Sequence, residues 1–176
     1  MIGGYNNGPQ NNVQVFNIGL NRSCDVPSLP RASYAHSAAA TPIGIVVCGG
    51  ETHTKLKGIK GHERGHLKTC YRLSAESQWV KFPSLRKARA YFSMKYMDGI
   101  LWAIGGQQSL GTLEFIDLNN LGKWKVEKTP SKIFGQCLTE FPNNQFLLTG
   151  GIENSVSKPK KITGKFKIVC ILFLSS

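Results

Sequence analysis

Apolar runs of one shape recur along the chain, each closed by a glycine pair. They are IGIVVC before Gly49-Gly50, GILWAI before Gly105-Gly106 and NQFLLT before Gly150-Gly151, with a further doublet at Gly3-Gly4. The first glycines stand at 3, 49, 105 and 150, giving intervals of 46, 56 and 45 residues. Recurrence at this interval marks one supersecondary unit used repeatedly. The runs are short, rich in β-branched and aromatic residues and bounded by turn formers, which predicts strands.

Three stretches read in parallel: SLPRASYAHSAAATPIGIVVCGG from Ser28, PSLRKARAYFSMKYMDGILWAIGG from Pro83, and TPSKIFGQCLTEFPNNQFLLTGG from Thr129. Each passes from a Pro-containing approach through a basic or polar segment into a strand, a turn and a second strand. Asp98-Gly99 and Asn143-Asn144 suit tight hairpins, and Thr41-Pro42 fills the same slot in the first copy. After each of the first three doublets comes an aromatic in a strand-like run, a polar turn, and the opening of a fourth run. Phe16 in VQVFN, Tyr71 and Trp79 in KTCYRLSAESQW, and Phe115 and Trp124 in LEFIDLNNLGKW follow this order. Tyr71 and Trp79 are eight residues apart, Phe115 and Trp124 nine, so antiparallel pairing is expected to bring both rings of each pair onto one face.

This order of hydrophobic run, Gly-Gly, Tyr or Phe, then Trp resembles the kelch repeat of β-propeller proteins over roughly Met1 to Gly151. The resemblance implies an all-β fold of four-stranded antiparallel blades, in which the doublet ends a blade's second strand. The middle two repeats carry it most fully. In the first, Cys24 lies near the expected Trp, and the fourth keeps only its leading half. The implied blades run over about 1–25 (partial), 32–81, 90–127 and 133–151 (partial), followed by a basic and then apolar tail at 152–176. Propellers close with roughly four to eight blades, so the resemblance implies a kelch-type β-propeller fragment, incomplete as it stands: a piece of a longer propeller, an open piece completed by another chain, or a truncated product. Its unpaired blade edges are expected to associate.

Charge adds little to this picture. The net charge is +12, but residues 155–176 contribute +5 and residues 51–70 contribute +3, leaving +4 for the rest. That distribution fits a basic loop and tail, and no nucleic-acid partner is expected. Ile168 to Leu174 is far shorter than the roughly 20 residues that cross a bilayer, so no membrane span is expected. The start, MIGGYNNGPQNN, has neither the basic nor the apolar region of a secretory signal.

Five cysteines lack any CxxC spacing, which argues against a zinc or redox motif, and buried reduced thiols are the expectation. Cys48 and Cys70 offer an alternative. One ends the run before Gly-Gly and the other opens the next strand of the same blade, so antiparallel pairing could bring them within disulfide range. Their layout also looks like that of extracellular kelch-type arrays. A cytoplasmic location goes with reduced thiols, an extracellular one with the bridge.

The widest interval between doublets holds ETHTKLKGIKGHERGHLKTC, with three of the four histidines. His62, His66 and Cys70 are four apart, a spacing that would align metal ligands on a helix. Gly58, Gly61 and Gly65 disfavour that helix, and a solvated loop is expected. His36 reads as a partly buried residue satisfied by backbone. No Ser-His-Asp order, paired carboxylates or phosphate-cradling loop suggests catalysis, and no cofactor is implied.

In kelch propellers the loops after the doublet and those entering each blade lie on one rim and make partner contacts. By resemblance the rim candidates are Arg31, His53, Lys55, Lys57, His62, Arg64, His66, Arg86, Lys87, Gln107 and Gln108, with Lys132 beside them. The implied function is non-enzymatic binding of another protein, as the substrate-recognition part of a cullin-type ubiquitin ligase adaptor or as an actin-binding module. An extracellular disulfide-bearing array is the alternative. A copper enzyme like galactose oxidase is the lesser one, since its ligand set of tyrosines, histidines and a Tyr-Cys crosslink has no recognisable counterpart here.

Overall fold

A computed structural model of the chain describes residues 1–55, 62–129, 132–141, 145–155, 158–161 and 169–172. Every regular element among them is a strand. Ile2–Tyr5 (β1), Pro9–Asn17 (β2) and Arg22–Val26 (β3) form the first sheet. Ser37–Thr41 (β4) and Gly44–Cys48 (β5) start the second, the chain then makes a hairpin of Glu51–Lys55 (β6) and His62–His66 (β7), and Cys70–Leu73 (β8) and Trp79–Phe82 (β9) complete four strands. Ser93–Met97 (β10), Ile100–Ile104 (β11), Thr112–Asp117 (β12) and Lys125–Lys128 (β13) make the third sheet.

The fourth unit repeats the plan of the second. Ile133–Phe134 (β14) leads in, Cys137–Phe141 (β15) pairs with Gln145–Thr149 (β16), and a hairpin of Ile152–Ser155 (β17) and Lys158–Lys161 (β18) follows the doublet. Val169–Leu172 (β19) then pairs with β16 as a third strand. The stretch that reads as a tail thus contributes two strands of a hairpin and one of a sheet. All ladders are antiparallel, so the chain is all-β, an incomplete kelch-type propeller of stacked sheets.

Strand alternation builds the core. Neighbouring residues of a strand point to opposite faces, so Val46 and Val47 of β5 enter different wedges. Val47 packs with Val13 and Leu29 between the first and second sheets. Val46, Cys48, Cys70 and Phe82 meet Leu101, Ala103, Ile116 and Trp124 between the second and third. Trp102, Ile104 and Leu113 meet Phe146 and Leu148 between the third and fourth. Full burial of one such Leu or Val contributes about 1.5–3 kcal/mol relative to exposure.

Two of the three tryptophans tie the first two wedges with a polar bond each. Trp79 Nε1 donates to the Pro27 carbonyl at 2.6 Å, and Trp124 Nε1 to the Pro83 carbonyl at 2.7 Å. Each indole thus reaches the segment that leaves the preceding sheet, burying a large ring without stranding its donor.

The aromatic pairing needs one correction. Tyr71 and Trp79 do share a face, because Trp79 opposes Leu73, two residues from Tyr71. Phe115 and Trp124 do not: Phe115 opposes Lys125, the neighbour of Trp124. Phe115 sits one strand position past the counterpart of Tyr71, and a shift of one residue turns it to the other face. There it stacks on Trp102 at 5.1 Å, while Trp124 meets Phe82 edge-on at 6.5 Å. In register, Tyr71 corresponds to Glu114, since Cys48 opposes Cys70 as Ile104 opposes Leu113.

Asp98 and Gly99 take φ of 50° and 81°, the paired left-handed geometry of a tight hairpin turn, and join β10 to β11. Asn143-Asn144 lies outside the described residues. The doublets set the distance between sheets. A Cβ on Gly49 would lie 2.6 Å from the Arg89 carbonyl oxygen, and one on Gly105 2.6 Å from that of Ile133. At Gly150 no described atom lies within 4 Å of that position.

Candidate partner-binding rim

The segments leading into the blades and the connections after the doublets share one end of the stack, and backbone bonds explain why. The second glycine of a doublet donates to the lead-in of the next blade: Gly4 to Ser33 at 3.1 Å, Gly50 to Arg89 at 2.7 Å, Gly106 to Ile133 at 3.1 Å. Successive lead-ins are joined in turn. Tyr91 N–H donates to the Ala35 carbonyl at 2.9 Å and Gly135 N–H to that of Tyr91 at 2.6 Å. Ala35, Tyr91 and Gly135 all take the left-handed conformation, at φ of 52°, 55° and 67°. The lead-ins also bridge to the residues after the doublets, Tyr34 to Glu51, Ala90 to Gln107 and Phe134 to Ile152. The rim is therefore a bonded arc of backbone.

A buried ion pair holds the third lead-in. Arg89 and Glu114 are both fully buried, with Nε and Nη2 of Arg89 each 3.1 Å from Glu114 Oε1. Arg89 also donates from Nη1 to the carbonyls of Gly105 at 2.6 Å and Thr112 at 2.9 Å, and from Nη2 to the Thr112 hydroxyl at 3.0 Å. Glu114 accepts the backbone N–H of Arg86 at 2.6 Å and of Lys87 at 3.0 Å. Burial lowers the Arg89 pKa and the Glu114 carboxylate opposes that shift. Arg89 remains a cation, as guanidinium does in proteins. Sequence reading passed over Glu114, although a lone carboxylate inside the apolar run LEFI was the signal, because buried Glu requires a partner.

The inserted hairpin is fixed at its root. Tyr34 Oη donates to Glu51 Oε2, and His66 Nε2 lies 3.2 Å from Glu51 Oε1. The rings of Tyr5, Tyr34 and His53 meet edge to face at 5.1, 5.8 and 5.7 Å. Beneath them Cys48 and Cys70, opposite one another in β5 and β8, form a disulfide with a Cα separation of 4.1 Å. It brackets the hairpin, so both ends of the insertion leave from one crosslinked point.

Several expectations change here. Residues 51–55 and 62–66 are a strand pair, not a loop. Four residues along a strand span about 13 Å, so the helical metal spacing of His62, His66 and Cys70 does not arise, and Cys70 is bonded to Cys48. Among the described residues no group of three or more His, Cys, Asp or Glu could hold a metal ion. Buried thiols are not found at Cys24 and Cys137, which are free and exposed.

The rim brings some candidates together and leaves others out. Arg31, Arg86, Lys87, Gln108 and Lys132 are exposed there, and His53, His66 and Gln107 are half-buried. Lys55, His62 and Arg64 belong to the hairpin strands, with side chains outside the described set, and Lys57 lies outside the described residues. Among the described residues no helix is long and apolar enough to cross a membrane.

Antiparallel four-stranded sheets, doublets closing the second strand, and indoles bonded across the wedges define an incomplete kelch-type propeller. No protein-family model matches the chain. It is similar to Kelch-like protein 33 of Homo sapiens, 25% identical over 142 residues, which are 76% of this chain and 25% of that protein. It is also similar to Kelch-like protein 13 of Mus musculus, 26% identical over 85 residues, 48% of this chain and 12% of that protein. The chain therefore spans a quarter or less of the length of these curated relatives. Sheets and similarities together fit a kelch-type repeat.

His36 gives the rim a pH dependence. It packs beside Gly3 and Gly50, with Nδ1 3.3 Å from the Ser33 hydroxyl. Burial pushes its pKa below the usual 6.5, against the opposing pull of the Ile2 and Ser33 backbone. The folded protein thus binds this proton less well than the unfolded chain. Its contribution is complete above about pH 6.5 and is lost as the pH falls from there toward the depressed value. Melting temperatures across that range should drop on the acid side, and less steeply in His36→Gln; an equal slope in both proteins would exclude His36 as the cause.

Proposed function

We propose that this chain is a non-enzymatic, protein-binding module of kelch-repeat type that engages its partner through the rim. The observation that carries this reading is the division of polar groups at that end. The described carboxylates beneath the rim, Glu51 and Glu114, are buried and bound within the protein, whereas Arg31, Arg86, Lys87 and Gln108 are exposed, Arg86 and Lys87 on backbone held by Glu114. Polar interior groups support the scaffold, and exposed ones face outward for recognition. Similarity to two Kelch-like proteins supports the kelch-repeat type of the module. Service as the substrate-recognition part of a cullin-type ubiquitin ligase adaptor is the finer reading, with actin binding as its alternative.

A photo-crosslinking residue at Gln108 should capture a discrete partner, and one at Asn120, in the turn between β12 and β13 at the other end, should not. Capture from Asn120 alone would contradict a rim-binding module.

The Cys48–Cys70 bridge favours a second reading, an extracellular array with the same binding end, because such bonds persist in oxidising compartments. Alkylation of natively isolated protein under denaturing, non-reducing conditions separates the settings. Both thiols labelled supports the cytoplasm, and neither labelled supports the extracellular reading.

A further inference from the structure

The charge left over at the rim points to the chemistry of the partner, an inference that rests on the protein-binding reading above. Around the third lead-in stand Arg86, Lys87, Arg89 and Glu114. Arg89 and Glu114 neutralise one another at full burial, and the Glu114 carboxylate is the group that fixes the backbone N–H of Arg86 and Lys87. The anion that anchors these two residues is thus already balanced from within. Arg86 and Lys87 present two uncompensated charges to solvent from an anchored base.

The neighbouring positions add to them. Arg31 stands two residues before Ser33, as Lys87 stands two before Arg89, and Ser33 and Arg89 accept the equivalent doublet bonds. Arg31 is therefore the counterpart of Lys87 one blade earlier, and it too is exposed. Lys132, one residue before Ile133, is exposed in the fourth lead-in, and Lys68 is exposed where its carbonyl receives the Leu85 N–H. Among the described residues no ion pair joins Arg31, Arg86 or Lys87 to a carboxylate. Tyr5 and Tyr91 are exposed at the same end, at 57% and 39%.

We propose that this basic, tyrosine-flanked arc binds an acidic peptide segment of the partner, its carboxylates pairing with Arg86 and Lys87 and, one blade away, with Arg31. Arg is suited to the role because its planar fork meets a carboxylate bidentately. Attraction across an exposed rim chiefly steers association and selects the partner, and it weakens as salt screens it.

Fluorescence anisotropy with a labelled oligoglutamate peptide tests the proposal on the intact chain. The peptide should bind, more weakly as salt rises. Arg86→Gln/Lys87→Gln should lower its affinity about five- to tenfold, as expected for two exposed ion pairs. Lys123→Gln/Lys125→Gln removes the same charge from the start of β13 and the turn before it, at the opposite end, and should leave affinity within about twofold, while unfolding curves confirm that both variants fold. Equal weakening by the two variants would mean attraction to net charge alone and would overturn the site. Tighter binding of single-stranded oligo-dT, in competition with the peptide, would assign the arc to nucleic acid and overturn the proposal. A partner crosslinked from Gln108 whose capture is unchanged by Arg86→Gln/Lys87→Gln would sink this inference and leave the protein-binding reading standing.

Discussion

The close approach of each blade's lead-in backbone to the glycine doublet of the blade before it is the constraint on which the rest of this protein depends. Ser33, Arg89 and Ile133 each place a carbonyl where a side chain on Gly3, Gly49 or Gly105 would have to stand. The next glycine in each doublet donates its N–H to that same carbonyl. Stacking and hydrogen bonding are thus achieved at one point, and only a residue without Cβ and tolerant of positive φ serves there. Everything at the rim hangs from this contact, since the lead-ins carry Arg31, Arg86, Lys87 and Lys132.

Around that backbone contact the second and third blades use different chemistry. Between the first and second sheets Ser33 and Tyr71 stand where Arg89 and Glu114 stand one repeat later. The second blade instead crosslinks its own strands through Cys48 and Cys70 and covers the end with a hairpin rooted on Glu51. The third blade has a short connection after its doublet and ties the lead-in down with the buried ion pair. Both arrangements immobilise the same end. A buried pair of this kind is a weak source of net stability, because desolvation offsets much of the attraction. Its more specific effect is positional: it pins residues 86–89 against β12.

What could be read from the chain follows the range of the interactions involved. The doublets, the Asp98-Gly99 turn and the fourth-strand tryptophans are local patterns whose geometry is written in adjacent residues. The Arg89–Glu114 pair joins positions 25 apart, and although Glu114 stands out inside its apolar run, nothing local to either residue names the other as its partner. The face of Phe115 turned on its standing one strand position past the counterpart of Tyr71, a difference that strand propensity does not register. Gly65 argued for a loop, because its effect on helix formation is legible and its compatibility with a strand pair is not. The rim residues were reached by resemblance, and their charge imbalance emerged only once Glu51 and Glu114 were found buried.

The most direct measurement of this account is the unfolding free energy of Gly49→Ala, Gly105→Ala and Gly150→Ala compared in one background. All three force alanine to positive φ, at 66°, 71° and 71°, so the conformational strain is shared. Gly49→Ala and Gly105→Ala should lose about 1–3 kcal/mol more than Gly150→Ala, the usual penalty for overpacking against a fixed neighbour. Equal losses at all three sites would contradict the claim that the doublets set how the blades stack.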